Sequence, residues 1–220
     1  MKLYSNATSP YAARVRMMLR VKDATIPLAE PPGGIGSAEY RAITPLGKIP
    51  ALQLDDGRVL PESEVICGYL DATLPGPSLW PDDPLEKAQV ALIVRLADLY
   101  LSPGMNRFFT LLFTDPGNRT ALSAVLPELA RGLKYLDLHV AQDGYAANRQ
   151  FSQADCALAP LLLCVAEVVM PVTGEDLLAK RPRLQAYWAA IQQNAYAAPV
   201  LAEMRQGLKK YQAMLQSAQQ

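Results

Sequence analysis

The run Thr44–Ser63, TPLGKIPALQLDDGRVLPES, constrains this chain more than any other stretch. Ile49 to Leu54 is apolar and partly β-branched, Asp56-Gly57 supplies a hairpin turn, and Arg58 to Leu60 reads as the returning strand. Pro50 has no N–H to give a strand ladder, so at the head of a strand it suits an edge or a special bond. An Ile-Pro bond can be cis at modest cost. A cis bond there would turn the N–H and C=O of Ile49 outward, open to an extended, peptide-like chain. Beyond the hairpin, Pro61-Glu62-Ser63 precedes VICGYL, in which Val65, Ile66, Tyr69 and Leu70 share one helical face. Ser63 is therefore an N-cap candidate, and the N–H groups behind it make an anion site.

A peptide edge followed by a carboxylate pocket, with Glu62 beside it to hold an α-ammonium, fits a ligand with a peptide middle and a free amino-acid end. Glutathione is such a ligand. On the residues Pro45-x-Gly47-Lys48-Ile49-Pro50, Asp56-Gly57 and Leu60-Pro61-Glu62-Ser63, taken in that order and spacing, the chain resembles the glutathione S-transferase family. The resemblance implies a thioredoxin-like α/β N-terminal domain over residues 1–78 and an all-α C-terminal domain over 85–220 that contributes an electrophile site.

The rest of the chain is consistent with that division. Lys2 to Ser5 reads as a strand, and Ser9-Pro10 is a helix start with Ser9 as N-cap and proline at the first helical position. The helix carries Tyr11, Val15, Met18 and Leu19 at helical spacing, with Arg14, Arg16 and Arg20 expected on its solvated side. Thr25 to Leu28 is a second strand candidate. Pro31 to Gly36 is turn-rich and Ser37 to Ala42 a short helix, so the first eighty residues read β-α-β-α-β-β-α. Gly33 to Gly36 is no phosphate loop, because no G-K-[ST] follows.

Leu74 to Pro84, with four prolines and a glycine, is a linker, and past it only helical patterns remain. These cover Leu85 to Leu101, a break or kink at Pro103-Gly104, Arg107 to Phe113, Thr120 to Val140, the apolar run from Ser152 to Val169, Arg183 to Gln193, and Pro199 to Leu215. Ser152-x-x-Asp155 has the layout of a capping box. The Gln-rich tail, Gln216 to Gln220, is expected to fray.

Half of the 220 residues are hydrophobic and the formal net charge is zero, so nothing electrostatic favours nucleic acid or an anionic membrane. The longest apolar run, Leu161 to Met170, is broken by Glu167 and falls short of a membrane span. The N-terminus opens on strand-like KLYS with no signal-peptide pattern, which predicts a cytoplasmic protein. Cys67, Cys156 and Cys164 with the single His139 suit neither a disulfide framework nor a metal site, and buried structural thiols are expected.

A free thiol with a pKa of about 8.5 is mostly protonated at neutral pH. An enzyme using glutathione must lower that value with a donor and positive potential at the sulfur. Ser9 offers a hydroxyl at the positive end of a helix. Ser9-Pro10-Tyr11 is similar to the serine version of the family's catalytic turn, which implies Ser9 as the catalytic residue. Thr8, Ser5 and Tyr4 are rival donors, and Asn6 or Thr8 could assist from the loop.

The resemblance further implies that the Ile49 main chain beside Pro50 pairs with the cysteinyl unit. Glu62 and Ser63 would take the γ-glutamyl end, and Lys48 the glycyl carboxylate. A second substrate, a hydrophobic or anionic electrophile, would meet Tyr11, Met105, Arg107 and Phe108, with Phe109 nearby. Serine cannot form a mixed disulfide with glutathione, so conjugation or addition–elimination is expected over thiol transfer. The implied function is glutathione transfer in detoxification by a cytoplasmic homodimer with no metal, the Glu64–Leu74 and Leu85–Leu101 helices lying near the interface. Two alternatives stand beside it. One is a glutathione-dependent isomerase of the maleylacetoacetate type, whose Ser-Ser-Cys loop this chain replaces with Ala7-Thr8-Ser9. The other is a non-catalytic glutathione-binding or interaction module.

Overall fold

The computed structural model describes the backbone of residues 1–217 and the side chains of 1–210 and 213. By contacts the chain forms two units, Met1–Leu79 together with the segment from Ala195 onward, and Trp80–Asn194.

The first unit is built on four short strands: β1 (Lys2–Tyr4), β2 (Leu28–Ala29), β3 (Ala51–Gln53) and β4 (Val59–Pro61). They lie in the order β2-β1-β3-β4, with β2 parallel to β1 and the other pairs antiparallel. The parallel pair needs a crossover, and α1 (Pro10–Val21) supplies it. Ser9 caps α1 in an extended conformation, its Oγ accepting the Ala12 N–H at 3.2 Å. Helix α2 (Ala38–Ile43) is capped in the same way by Ser37, and α3 (Ser63–Thr73) follows β4 directly. The predicted β-α-β-α-β-β-α order is observed. The hairpin closes at Asp56-Gly57, where Gly57 has φ +87° and Leu54 N–H reaches Arg58 C=O at 2.8 Å.

One row of register partners matters for function. Tyr4 pairs with Ala51, Ala51 with Pro61, and Tyr4 on its other side with Ala29. This row is the C-terminal end of β1, β2 and β4 and the N-terminal end of β3. The segments entering and leaving the sheet there are Ser5–Ser9, Ile49-Pro50, Glu62-Ser63 and Glu30.

The second unit is helical. Its elements are α4 (Pro84–Leu96), α5 (Ser102–Thr114), α6 (Arg119–Ser123), α7 (Leu126–His139), α8 (Gln153–Cys164), α9 (Met170–Thr173) and α10 (Pro182–Ile191). The expected break at Pro103-Gly104 does not occur. A widened turn at Ala97–Leu101 carries the helix into α5, with Ser102 N–H bonded five residues back to Ala97 C=O. The wider turn accommodates Pro103, which has no N–H of its own to place. Gly104 is instead a packing position, since a Cβ there would sit 2.9 Å from Leu129 Cδ2. Gly132 on α7 is tighter still: a Cβ would sit 2.3 Å from Tyr100 C=O, so two backbones meet where only glycine fits. Thr120 to Val140 is not one helix either. Pro127 has no N–H to continue the ladder from α6, so α6 ends at Ser123 and α7 starts at Leu126 with Pro127 in its first turn.

A second widened turn at Val165–Val169 joins α8 to α9, ahead of Pro171, and the capping box Ser152–Asp155 opens α8 as expected. Joined, Gln153–Thr173 is one helix long and apolar enough to cross a membrane by length and composition, which the interruption at Glu167 had argued against. Two thirds of its apolar window, 67%, is buried inside the protein, as in a core helix. Cys67, Cys156 and Cys164 are buried as expected, and burial beside Glu167 pushes the Cys164 thiol up to about 12.

The last helix, α11 (Ala197–Ser217), packs on α1 and by contacts groups with the first unit. Of the tail expected to fray, residues 218–220 lie outside the described residues.

Candidate functional site

Everything that the sequence analysis nominated for glutathione enters or leaves the sheet at the Tyr4–Ala51–Pro61 row. The Ile49–Pro50 bond is cis. The β3 ladder starts at Ala51, which leaves the Ile49 main chain outside it. The loop before it is tied down from α2. The Tyr40 hydroxyl donates to the Lys48 carbonyl at 3.0 Å, while the Tyr40 ring meets the Tyr4 ring edge-on at 5.3 Å between centroids. Burial, with Tyr4 alongside, pushes the Tyr40 phenol up to about 12, so it stays a donor. Arg41 donates to the carbonyls of Gly36 at 3.0 Å and Pro45 at 3.3 Å. Gly47 (φ +60°) lies so close to Arg41 that a Cβ would meet it at 3.1 Å. The Lys48 side chain is exposed.

After β4 the chain turns sharply into α3. Ser63 is the first residue of that helix and buried, and the N-cap is Glu62. This corrects Ser63 as N-cap by one position. Glu62 holds φ +69° and ψ 118°, a conformation an L residue rarely adopts, and gives the helix no side-chain cap. The first N–H groups of α3 thus carry the helix's positive end without the Glu62 side chain capping them. The exposed Glu62 carboxylate stands beside the positive end of α3, the two charges that a zwitterionic amino-acid end requires.

Ser9 caps α1 at the other side of the row. Its Oγ accepts from Ala12 N–H, which leaves its own proton to donate. Its N–H donates to Asn6 Oδ1 at 2.8 Å, and Thr8 Oγ1 donates to the same oxygen at 3.2 Å. Tyr4 is buried, with Lys2 Nζ 4.7 Å from its ring centroid and its hydroxyl 3.3 Å from Gln53 Oε1. The Ser5 hydroxyl is buried and accepts from Arg16.

Arg14 and Arg16 are not solvated, as the sequence had suggested, but 1% and 7% exposed. Arg14 Nη1 lies 3.5 Å from Glu64 Oε2, linking the second turn of α1 to the first turn of α3. Arg16 donates to Ser5 Oγ at 3.1 Å, Asn6 C=O at 2.8 Å and Ala7 C=O at 3.0 Å, and its Nε lies 3.3 Å from Glu203 on α11. Burial draws the guanidinium below its usual pKa, and Glu203 opposes that. The signal for this was present: Ala12-Ala13-Arg14-Val15-Arg16-Met17-Met18-Leu19 is apolar on every face of a helix, so an arginine inside it must be paired. Glu203 carried no signal, since its partner is 187 positions away in sequence.

Of the residues nominated for a second substrate, Tyr11 is half-buried, while Met105 and Phe108 are fully buried. Arg107 is exposed and pairs with Glu128 at 2.8 Å. It lines a groove of about 520 Å³ on α5 and α6 with Asn106, Thr110, Leu111, Ala121 and Ala124. Among the described residues, no group of three or more His, Cys, Asp or Glu side chains is placed to hold a metal.

Comparison with known proteins gives two family matches, "Glutathione S-transferase, N-terminal domain" over residues 3–78 and "Glutathione S-transferase, C-terminal domain" over residues 96–194. A probable maleylacetoacetate isomerase 2 of Drosophila melanogaster is 30% identical over 165 residues, covering 72% of this chain and 71% of the relative. A glutathione S-transferase of Pseudomonas putida is 26% identical over 222 residues, covering 99% and 98%. Among solved structures, a glutathione S-transferase of Methylobacillus flagellatus with glutathione bound superposes with a TM-score of 0.76 at 28% identity, covering 90% of this chain and 98% of that one.

Proposed function

We propose, for a chain that belongs to the glutathione S-transferase family, that it is a glutathione transferase with Ser9 as the catalytic residue. The observation that carries this reading is the register row that gathers the Ser9 loop, the cis Ile49-Pro50 segment and the Glu62-Ser63 turn at one end of the sheet. In this reading the cysteinyl unit of glutathione runs antiparallel to the Ile49 main chain. Its α-carboxylate sits on the first N–H groups of α3 beside the buried Ser63, its α-ammonium on Glu62, and its glycyl carboxylate near Lys48.

The thiol then lies at the start of α1. Ser9 accepts from Ala12 and so keeps its O–H for the sulfur, and the helix end adds positive potential. The thiol proton leaves to solvent, the thiolate attacks an electrophilic carbon, and the S–C bond forms as the leaving group departs with its electron pair. Of the residues proposed to meet the electrophile, Arg107 is exposed and Tyr11 half-buried, while Met105 and Phe108 are fully buried. A positive Arg107 favours an anionic one. A cytoplasmic homodimer active in detoxification is part of this proposal, supported by the family.

A second reading, glutathione-dependent isomerisation, is favoured by the name of the Drosophila relative and disfavoured by Ala7-Thr8-Ser9 at the catalytic turn. Both are tested together. The ultraviolet thiolate absorbance of glutathione titrated into the protein at neutral pH should appear in the wild type and vanish in Ser9→Ala. Turnover of an aryl halide then supports transfer, and turnover of a cis-enoyl diketo acid supports isomerisation. Glutathione bound without a thiolate signal, or a signal indifferent to Ser9, sinks the role given to Ser9.

A further inference from the structure

We infer that Arg16 is the positioning residue of the thiol-activating turn, and that α11 sets its geometry through Glu203 and Gly207. The inference rests on the transferase reading above and adds to it a helix from the far end of the chain.

Three observations point the same way. First, one guanidinium takes three consecutive acceptors of the loop, Ser5 Oγ, Asn6 C=O and Ala7 C=O, at 3.1, 2.8 and 3.0 Å. A planar fork with fixed donor directions imposes a path on three residues that a point charge cannot. Asn6 passes that path on, because its Oδ1 receives both the Ser9 N–H and the Thr8 hydroxyl. Second, the fork is itself held. Glu203 lies 3.3 Å from Arg16 and 2.8 Å from Arg20, so α11 offers one carboxylate to two turns of α1. Third, the α11 backbone bears on the same loop. A Cβ at Gly207 would stand 2.9 Å from Ala7 Cβ and 3.0 Å from Thr8 Cγ2.

Side-chain packing does not replace these contacts. The loop borders a cavity of about 320 Å³ walled by Ser5, Asn6, Ala7, Glu30, Gln206 and Lys210 among others. With space on that flank, hydrogen bonds and the Gly207 contact decide where Ser9 points. A sulfur–hydroxyl hydrogen bond is sensitive to small displacements, whereas the carboxylate and peptide contacts of glutathione are made elsewhere on the sheet end.

The test uses Arg16→Lys, which keeps the charge and loses the fork, and Gly207→Ala, which adds one methyl against Ala7 and leaves every charge in place. Two quantities are measured on each: the affinity for S-methylglutathione by calorimetry, and the pKa of bound glutathione's thiol from ultraviolet absorbance against pH. The expected result is S-methylglutathione affinity within about twofold of the wild type, with the thiol pKa raised by about half to one unit. That corresponds to about three- to tenfold less thiolate at a pH below the pKa. Ala7→Gly in the Gly207→Ala background removes the 2.9 Å clash and should recover most of the lost thiolate. An unchanged thiol pKa in folded Gly207→Ala overturns the inference even where Arg16→Lys does not fold. Parallel losses of S-methylglutathione affinity and thiolate also overturn it, as they mark general damage. A wild type that fails to bind S-methylglutathione sinks the glutathione reading itself, a result separate from either.

Discussion

Glycine at position 62 should make the protein more stable and its glutathione site worse. Glu62 sits at φ +69° and ψ 118°, where a Cβ crowds its own backbone. Holding a non-glycine residue in such a region costs about 1–3 kcal/mol. The side chain is exposed and makes no capping hydrogen bond, so its loss takes little from the fold. Against the relief stands the larger unfolded-state entropy of glycine, about 0.5–1 kcal/mol. The net gain for Glu62→Gly is about 0.5–2 kcal/mol, which for a chain of this size raises the melting temperature by about 1–8 °C. Glu62→Ala keeps the strain and should melt at or below the wild type.

Binding moves the other way in both variants. A hydrogen bond between a carboxylate and an ammonium contributes about 1.5–3 kcal/mol, so glutathione should bind about 10- to 150-fold more weakly. Thermal melts without ligand and calorimetric titration of glutathione at pH 7 read the two quantities separately. A glycine variant that melts no higher than the alanine variant refutes the strain. One that melts higher and still binds glutathione like the wild type refutes the role of the carboxylate.

Three further predictions concern buried ionisable groups. Lys22 Nζ lies 2.9 Å from Asp71 Oδ1, with side chains only 1% and 11% exposed, so Lys22→Met should cost about 3–5 kcal/mol in denaturant unfolding, and Lys22→Met with Asp71→Leu should recover part of it. Burial pushes the Asp71 carboxyl up, but Lys22, Ser78 and the Leu79 N–H together hold it below its ordinary value. Its contribution is therefore full above the unfolded pKa of about 4 and lost as pH falls through the lower folded value, and Asp71→Asn should flatten that acid limb of the melting curve. Asp155 is the opposite case. Burial raises its carboxyl to about 7 despite donors from Ala146 N–H, Ser152 N–H and the Ser152 hydroxyl. The folded state then keeps a proton that the unfolded chain has released between about pH 4 and 7. The wild type should lose ground to Asp155→Asn from pH 5 to 8, and a gap moving in its favour over that range refutes the shift.

The parts of the fold that were legible before the structure are those fixed by neighbours in sequence. Pro50 after Ile49, Asp56-Gly57 between two apolar runs, Ser9-Pro10 before a helical stripe and Ser152-x-x-Asp155 each act within a few residues, and each element appears where that local chemistry puts it. What was illegible depends on partners far along the chain. That Arg16 must be paired was legible in the apolar run around it, but its partner Glu203, 187 positions on, was not. Pro103-Gly104 looked like a break because the sequence shows the missing N–H but not the widened turn ahead of it, nor Leu129 pressing on Gly104. Glu62 took the N-cap position expected of Ser63 because the turn after β4 is set by the sheet, not by capping preference. The site residues divide similarly: those read from the loop and hairpin are at one sheet end, while Tyr40, Glu203 and Gly207 reach the loops around it from helices that carry no motif.

The register row also bears on how such a protein can change over generations. A cradle made from the course of the main chain, at a cis turn, a helix start and a strand end, is written into the fold itself. In the proposed reading, contacts made by the main chain outlast the exchange of any one side chain, so a substitution such as Glu62→Gly weakens recognition of the tripeptide without removing the whole cradle. Exposed positions such as Arg107 and Asn106 on α5 carry no such obligation, and under the proposed function a change of electrophile would be accommodated there while the nucleophile stays in place.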